Sequence, residues 1–248
     1  MKSYGLTDKG KVRAENQDCF LLELCPEQKC LIAVLCDGMG GASAGEVASE
    51  LCSKTFVGKV FEKLCACGGK RPNYRQILQS SCAETNGVVY EYSRFSEEYH
   101  GMGTTLVGGV IKENGTGYII NVGDSRAYLI QPKKDAISQI SQDHSLVAEL
   151  VRFGAITSEE AREHPRKNII TRALGTESEM DADFFPIRLG AGELLLLCSD
   201  GLSNQIRDEE LLEEAKTHGE PEALCRRLME MVLERGAQDN VTVVVVAR

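Results

Sequence analysis

Five aspartates flank apolar runs, in positions where they could bind cations together. Asp37, Asp124 and Asp200 follow runs that are typical of buried strands (CLIAVLC, GYIINVG and ELLLLCS). Asp18 and Asp239 stand just before the runs CFLLEL and VTVVVV, with one residue between Asp239 and its run. In an antiparallel sheet, the end of one strand lies beside the start of its neighbour. We therefore expect all five carboxylates to reach one edge of the sheets.

Carboxylates gathered at one edge would repel and raise each other's pKa values unless cations neutralised them. Magnesium and manganese ions prefer such oxygen ligands. Two of these ions about 3.5–4 Å apart can bridge a water, lower its pKa and present hydroxide for in-line attack on phosphorus. An acid after a strand is often only part of a turn, but five with the same polarity favour a two-metal site.

Arg13 lies five residues before Asp18, in a loop that leads to the same edge. A guanidinium fork grips phosphate oxygens in a bidentate fashion, which a lysine cannot do. The alternative for Arg13 is a solvated side chain near the N-terminus. For His144, at the start of a predicted helix, we weigh a proton donor against a helix cap with Asp143 or Ser145, and the cap is favoured.

The elements that must position these residues are strands grouped with strands and long helices between them. Asn114-Gly115 is a hairpin signal and indicates antiparallel pairing. Apolar runs predict strands at 19–24, 30–36, 104–111, 117–122, 126–130, 193–198 and 241–246. Helical periodicity covers 43–66, about 74–93, 144–153, 157–163, 208–215 and 221–234. The pattern favours helices covering antiparallel sheets over βαβ units, with a polar surface excursion at 154–178.

Composition limits the remaining possibilities. The chain has 248 residues and no linker-like or repeated segment, so we expect a single domain over 1–248. No apolar run approaches the ~20 residues of a membrane span, and the first residues lack a signal-like apolar core, so we expect a cytoplasmic protein. The net charge of −9 argues against nucleic-acid binding. The ten cysteines form no C-x-x-C pair and are interpreted as reduced structural thiols.

Six sequence blocks resemble, in order, the signatures of type 2C metal-dependent serine/threonine protein phosphatases. They are RAENQD at 13–18, DGMGG at 37–41, GTT at 103–105, NVGDSR at 121–126, SDGL at 199–202 and QDN at 238–240. The segment HPRKNIITRALG at 164–175 is similar to the flap of the short bacterial members, and a flap subregion is expected at about 146–178. The resemblance spans almost the whole chain.

The resemblance implies a four-layer α/β/β/α sandwich (an α+β fold) with the metal site at one edge of two antiparallel sheets. Asp37 would bridge two Mn²⁺ or Mg²⁺ ions, and the Gly38 carbonyl would bind one of them. Asp200 and Asp239 would ligate the other ion, while Asp124 with Asp200 would hold a weaker third. Asp18 would orient metal-bound water, and Arg13 would hold the substrate phosphate.

The implied activity is hydrolysis of phosphoserine and phosphothreonine in proteins by a metal-bridged hydroxide. The implied partners are phosphorylated proteins, including a serine/threonine kinase that the enzyme opposes, and a monomer is expected. Met39 departs from relatives that carry a histidine after Asp-Gly, and methionine cannot donate a proton to the leaving group. Asn204 stands where some relatives have an acid near the third metal.

Two alternatives remain beside this interpretation. Cys65 and Arg71 match the C-x5-R spacing of cysteine-dependent phosphatases, but Cys65 lies at a predicted helix end and no strand precedes it. A catalytically inactive phosphopeptide-binding module of the same fold would be marked by missing core acids, and none is missing.

Overall fold

The computed structural model describes residues 1–41, 44–68 and 70–248, and all its strand pairs are antiparallel. One sheet contains, in spatial order, β1 (Lys2–Asp8), β11 (Val241–Ala247), β10 (Leu194–Cys198), β7 (Arg126–Gln131) and β8 (Ala136–Gln139). The other contains β2 (Asp18–Cys25), β3 (Cys30–Met39), β5 (Leu106–Lys112), β6 (Thr116–Val122) and β9 (Asp183–Arg188), with β4 (Gly103–Thr104) paired to β3. The α-helices are α1 (Ala44–Ala66), α2 (Tyr74–Ser93), α3 (Leu146–Arg152), α4 (Ser158–Glu163), α5 (Asp200–Ser203), α6 (Asp208–Thr217) and α7 (Pro221–Glu234).

The central strands are apolar throughout because both of their faces are buried. In β3, Ile32 and Val34 pack against α1 and α2, whereas Leu31 and Leu35 face the other sheet. Successive side chains of a strand point to opposite faces, so an alternating pattern appears only where one face meets water. The uninterrupted apolar runs of the sequence therefore mark the strands in the middle of the molecule.

Three apolar clusters separate four layers. The first cluster lies between helices α1 and α2 and the sheet that contains β3, and the second lies between the two sheets. The third lies between the sheet that contains β11 and helices α6 and α7. Each layer buries the apolar face of the next, which is how amphipathic elements form a stable core. The predicted α/β/β/α sandwich is confirmed.

All seven predicted strands are present, although the run 104–111 is divided between β4 and β5. The Asn114-Gly115 hairpin is also confirmed, with Gly115 at a φ of 84°. Strands β1, β8 and β9 and the short helix α5 were not predicted. Strand β9 carries Pro186, which signals a break, yet β9 is an edge strand where a missing N–H is tolerated. Residue 43, the predicted start of the first helix, lies outside the described residues.

The segment between β8 and β9 contains α3, α4 and an extended stretch that docks on β4, which is paired to β3. Leu174 exchanges backbone hydrogen bonds of 2.9 and 3.0 Å with Thr104 of β4. On the other side, Arg162 of α4 donates a hydrogen bond of 3.1 Å to the Ser203 carbonyl of α5. These contacts hold the predicted flap beside the sheet edge that carries the aspartates. No described helix is long and apolar enough to cross a membrane.

Candidate metal centre

The strand register brings the five aspartates to one edge of the two sheets. Asp18 and Asp37 are direct partners in the β2–β3 pair. In the other sheet, Cys198 at the end of β10 is opposite Val243, so Asp200 and Asp239 lie at the same edge. Asp124 follows β6 and precedes β7, whose first residue pairs with Cys198. The two sheets thus carry the acids toward a common point from strands distant in sequence.

Asp18 joins the two sheets directly. Its Oδ2 atom accepts hydrogen bonds of 2.7 Å from Ser199 Oγ and of 2.7 Å from Thr242 Oγ1, both in the opposite sheet. Ser199 Oγ in turn accepts a bond of 3.0 Å from the Thr242 backbone N–H. The second carboxylate oxygen of Asp18, Oδ1, is buried and has no hydrogen-bond partner. A buried oxygen without a donor is costly, and a cation-bound water is one kind of group that would satisfy it.

Two adjacent threonines fix the backbone of Asp37. Thr104 Oγ1 donates a hydrogen bond of 2.9 Å to the Asp37 carbonyl. The Asp37 N–H in turn donates a hydrogen bond of 2.9 Å to Thr105 Oγ1. Thr105 Oγ1 also lies 2.7 Å from Ser125 Oγ, next to Asp124. The hydroxyls therefore hold two of the five acids in register with each other.

Gly38 is tightly enclosed. A Cβ atom at this position would lie 1.9 Å from the Gly45 carbonyl oxygen and 2.7 Å from the Gln17 carbonyl oxygen. Any larger residue would displace the backbone that also carries Asp37. The Gly38 N–H donates 3.0 Å to the Gln17 carbonyl, which ties β3 to the N-terminal loop.

The N-terminal loop is anchored by Asn240. Its Nδ2 donates 2.9 Å bonds to the carbonyls of Lys9 and Glu15, and its Oδ1 accepts 2.8 Å from the Gln17 N–H. This anchoring places Arg13 at the aspartate edge, where Nη2 donates 2.8 Å to Asp239 Oδ2. The Arg13 side chain is 52% exposed, so it can also meet a ligand from solvent.

The electrostatics of the cluster are those of carboxylates that need cations. Burial, with neighbouring carboxylates adding to it, raises the pKa of Asp18 to about 7, of Asp124 to about 8 and of Asp200 to about 6. For Asp37, burial comes first and the charges of all four other aspartates follow, so its pKa lies well above the usual range. Arg13 stabilises only part of this charge, through its bond to Asp239 and its proximity to Asp200.

The donor set consists of carboxylate oxygens, which hard divalent cations prefer. Among the described residues, no three aspartate carboxylates offer oxygens that all lie within 4.8 Å of one another. Ligand oxygens at 2.0–2.1 Å from a single Mg²⁺ lie at most about 4.2 Å apart. As placed, therefore, no three of these aspartates close on a single ion.

Sequence reasoning did not identify the groups that position the acids. Ser199, Thr104, Thr105 and Asn240 lie inside the recognised blocks, but nothing local showed which atoms they would bond. Thr242 appears in the sequence only as a polar residue in the run VTVVVV, where a buried hydroxyl needs a partner. That single polar position was the available signal.

The contacts of His144 differ from those of a helix cap. Its Nδ1 accepts a hydrogen bond of 3.1 Å from the Gly123 N–H, and its Nε2 lies 3.1 Å from Asp183 Oδ2. The N-cap of α3 is Ser145, whose hydroxyl accepts from the Ala148 N–H at 3.3 Å. The helix-cap interpretation of His144 is therefore wrong. The histidine joins the loop before Asp124 to the edge strand β9.

The C-x5-R alternative does not have the geometry of a thiolate phosphate loop. Cys65 lies in the last turn of α1, where the negative end of the helix dipole disfavours a thiolate and a bound phosphate. Burial and the nearby Cys25 and Glu27 raise the pKa of its thiol. Residue 69 of the motif lies outside the described residues.

Comparisons with known proteins agree with this architecture. The sequence pattern of the family described as "Protein phosphatase 2C" matches residues 10–242. The "Serine/threonine phosphatase stp" of Listeria innocua is 37% identical over 98% of this chain and 94% of its own length. The crystal structure of the Staphylococcus aureus serine/threonine phosphatase Stp1 superposes with a TM-score of 0.86 at 35% identity, covering 100% of this chain and 94% of that one. The catalytic domain of the phosphatase PstP, solved in complex with two manganese ions, gives a TM-score of 0.77 at 34% identity, covering 98% and 96% of the two chains.

Fold and site together define a metal-dependent phosphatase of the sandwich type. The chain belongs to the protein phosphatase 2C family, and its full-length similarity is to the bacterial serine/threonine phosphatases.

Proposed function

We propose that this protein hydrolyses phosphoserine and phosphothreonine in other proteins, using Mn²⁺ or Mg²⁺, and that it opposes a serine/threonine protein kinase. Membership of the family supports the reaction. The observation that carries the metal dependence is the set of five converging aspartates, whose burial and mutual repulsion raise the pKa values of four of them. Such a set is stable in its ionised form only with cations.

We assign the ligands according to position. Asp37 and the Gly38 carbonyl would hold one ion, with Asp37 also reaching the second, and Asp200 and Asp239 would complete the second. Asp124, with Asp200, would hold a third ion more weakly. Asn204 Nδ2 donates 3.1 Å to Asp200 Oδ2, so this neighbour adds a donor where an acid would have added a ligand. When bound, the ions supply the Lewis acidity that makes water nucleophilic near neutral pH.

The chain's own residues orient the reactants. Asp18 Oδ1 is a buried hydrogen-bond acceptor without a donor, and it is suited to orient a water for attack. Arg13 would bind the phosphate, because a phosphate oxyanion competes with Asp239 for the same guanidinium. Preorganised charge of this kind stabilises the transition state of phosphoryl transfer, in which negative charge lies on the equatorial oxygens. Met39 has no proton to give, so the leaving group must be protonated by another group.

A cleft of about 450 Å³ extends from the aspartates along the flap. Asp124 and Asp200 form part of its wall at the metal end. Its lining also includes the basic side chains of Arg152, Arg162, Lys167 and Arg172. These cations can attract a phosphorylated segment toward a centre that is itself acidic. The cleft is therefore the proposed entry for the substrate protein.

The test is phosphate release from a phosphothreonine peptide with Mn²⁺, with Mg²⁺ and with excess EDTA. We expect turnover with either ion and none with the chelator, and we expect Asp239→Asn to lose turnover while its circular dichroism is unchanged. Asp181→Asn, at an exposed position, is the control for loss of one charge. Full turnover in EDTA would contradict the proposal.

A further inference from the structure

A group of cysteines lies at the end of the β2–β3 hairpin opposite to the aspartates. Cys25 and Cys30 are cross-strand partners on either side of the turn, while Asp18 and Asp37 form the pair at the other end. Seven residues of strand separate Asp18 from Cys25, which corresponds to about 23 Å. The cysteine group is therefore a separate site, and neither the metal centre nor the substrate cleft includes it.

The last turn of α1 completes this group. The Sγ atoms of Cys25 and Cys65 and a carboxylate oxygen of Glu27 all lie within 4.8 Å of one another. Among the described residues, this is the one set of three histidine, cysteine or carboxylate ligand atoms that lie within 4.8 Å of one another. The distance between Cys25 Sγ and Glu27 Oε2 is 3.7 Å. In a tetrahedral zinc site with Zn–S bonds of about 2.3 Å, neighbouring ligands lie about 3.8 Å apart, so only small movements are needed.

Cys30 is the cross-strand partner of Cys25 and would complete the coordination by moving toward the three ligand atoms that already lie within 4.8 Å of one another. Burial, and after it the adjacent Cys25 thiol, raises the pKa of the Cys30 thiol to about 12. Lys112 acts on the same thiol in the opposite direction, and its Nζ lies 5.6 Å from the Tyr74 ring centroid. A divalent ion with three thiolates and one carboxylate has a net charge of −2, part of which Lys112 would offset.

The two elements that supply the ligands are already joined. Gln28 lies in the hairpin turn, and its Nε2 donates a hydrogen bond of 3.2 Å to the Leu64 carbonyl of α1. Cys67, just beyond the helix, is directed elsewhere, because its Sγ donates 3.3 Å to the Lys63 carbonyl. The ligand atoms of Cys25, Glu27 and Cys65 are thus held on a connected backbone, which a metal site requires.

We propose that Cys25, Glu27, Cys30 and Cys65 bind one zinc-like, borderline-soft divalent cation in a structural site distinct from the aspartate centre. Two thiolates from a hairpin, one from a helix end and a carboxylate suit the tetrahedral coordination of Zn²⁺. The ion would connect the turn of β2–β3 to the end of α1. A disulfide between Cys25 and Cys65 is the competing use of these sulfurs, but it would remove the hydrogen bond that the Cys25 thiol donates to Glu27.

The test uses the whole chain, purified under reducing conditions and freed of metal. Co²⁺ is added in stoichiometric amounts, and the thiolate-to-metal charge-transfer band and the intense visible bands of tetrahedral cobalt are recorded. Octahedral Co²⁺ on carboxylates and water gives neither feature, so the aspartate centre does not contribute. The Asp37→Asn, Asp239→Asn double variant confirms this separation, because it should keep the thiolate band even if the proposed phosphatase mechanism is wrong.

We expect one equivalent of thiolate-bound Co²⁺ per chain, displaced by Zn²⁺. Loss of an outer-shell partner alone lowers metal affinity by about 10–100-fold, so Cys65→Ser and Glu27→Gln should each weaken Zn²⁺ binding by at least about tenfold. Cys65 is partly exposed and Glu27 is exposed, so both variants should fold. Cys19→Ser, a half-buried cysteine on the same strand β2, is the matched control and should bind as the unmodified protein does.

Three results would overturn the proposal. They are the absence of a thiolate band at stoichiometric Co²⁺, a band that is unchanged in Cys65→Ser, and a Cys25–Cys65 disulfide that forms quantitatively in air even with Zn²⁺ present. The disulfide is detected by mass spectrometry after alkylation.

Discussion

Replacing Asp18 by asparagine tests whether burial of charge at the metal centre destabilises the metal-free protein. The Asp18 side chain is 7% exposed, and burial raises its pKa from 3.8 to about 7. A shift of about three units corresponds to about 4 kcal/mol between the protonated and ionised forms. Asparagine has nearly the same shape but carries no charge at any pH.

The sign follows from the direction of the shift. Because the pKa is higher in the folded state than in the unfolded state, the contribution of Asp18 to stability is complete below the unfolded value of 3.8. It is lost as the pH rises through the folded value of about 7. Relative to the unmodified protein, Asp18→Asn should therefore gain at most about 2 kcal/mol at pH 5 and about 4 kcal/mol at pH 8. The amide group of the asparagine would lack a partner at the Oδ1 position, which would lower the free energy of unfolding by about 1–3 kcal/mol. This loss would be the same at every pH.

The assay is urea unfolding in EDTA at pH 5, 6, 7 and 8, with the free energy of unfolding compared between the two proteins. Asp181→Asn, at an exposed site, controls for the change in net charge. The reasoning is refuted if the difference between Asp18→Asn and the unmodified protein is the same at pH 5 and pH 8. In EDTA, Asp18→Asn should be the more stable of the two proteins. In the presence of Mn²⁺, the unmodified protein should be the more active one, because Asp18 is proposed to orient the attacking water.

Three further predictions concern positioning and substrate binding. Arg13→Lys should lower kcat/KM on a phosphothreonine peptide by about tenfold or more, because a lysine lacks the bidentate fork, and an unchanged kcat/KM would remove Arg13 from the phosphate site. His144→Ala should lower the free energy of unfolding by about 1–3 kcal/mol, because it leaves the buried Gly123 N–H without its acceptor; thermal unfolding measures this, and no loss would refute it. Thr105→Val removes the hydroxyl that accepts from the Asp37 N–H, and should raise the Mn²⁺ concentration needed for half-maximal activity, whereas an unchanged requirement would show that this bond does not position the ligand.

The convergence of the aspartates at one sheet edge could be predicted because its signals are local. An apolar run with an aspartate at its end is visible without any knowledge of distant contacts, and the alternation of strand direction then assigns each aspartate to an edge. The runs before Asp37 and Asp200 illustrate this, since both are buried on two faces and each ends at an acid. Strand β1, by contrast, mixes polar and apolar residues and is defined by its pairing with β11 from the other end of the chain.

The contacts that hold the acids in place were decided by tertiary structure alone. The hydroxyls of Ser199 and Thr242 reach Asp18 across the two sheets from 181 and 224 residues away. The cysteine group is a similar case: the spacing of Cys25 and Cys65 matches no motif, and only the packing of α1 against the hairpin brings their sulfurs within 4.8 Å of each other. Strand identity and the chemistry of each side chain are properties of short segments, so the sequence determines them. Which side chains meet depends on sheet order and on how the layers stack, and these follow from the packing of the whole chain.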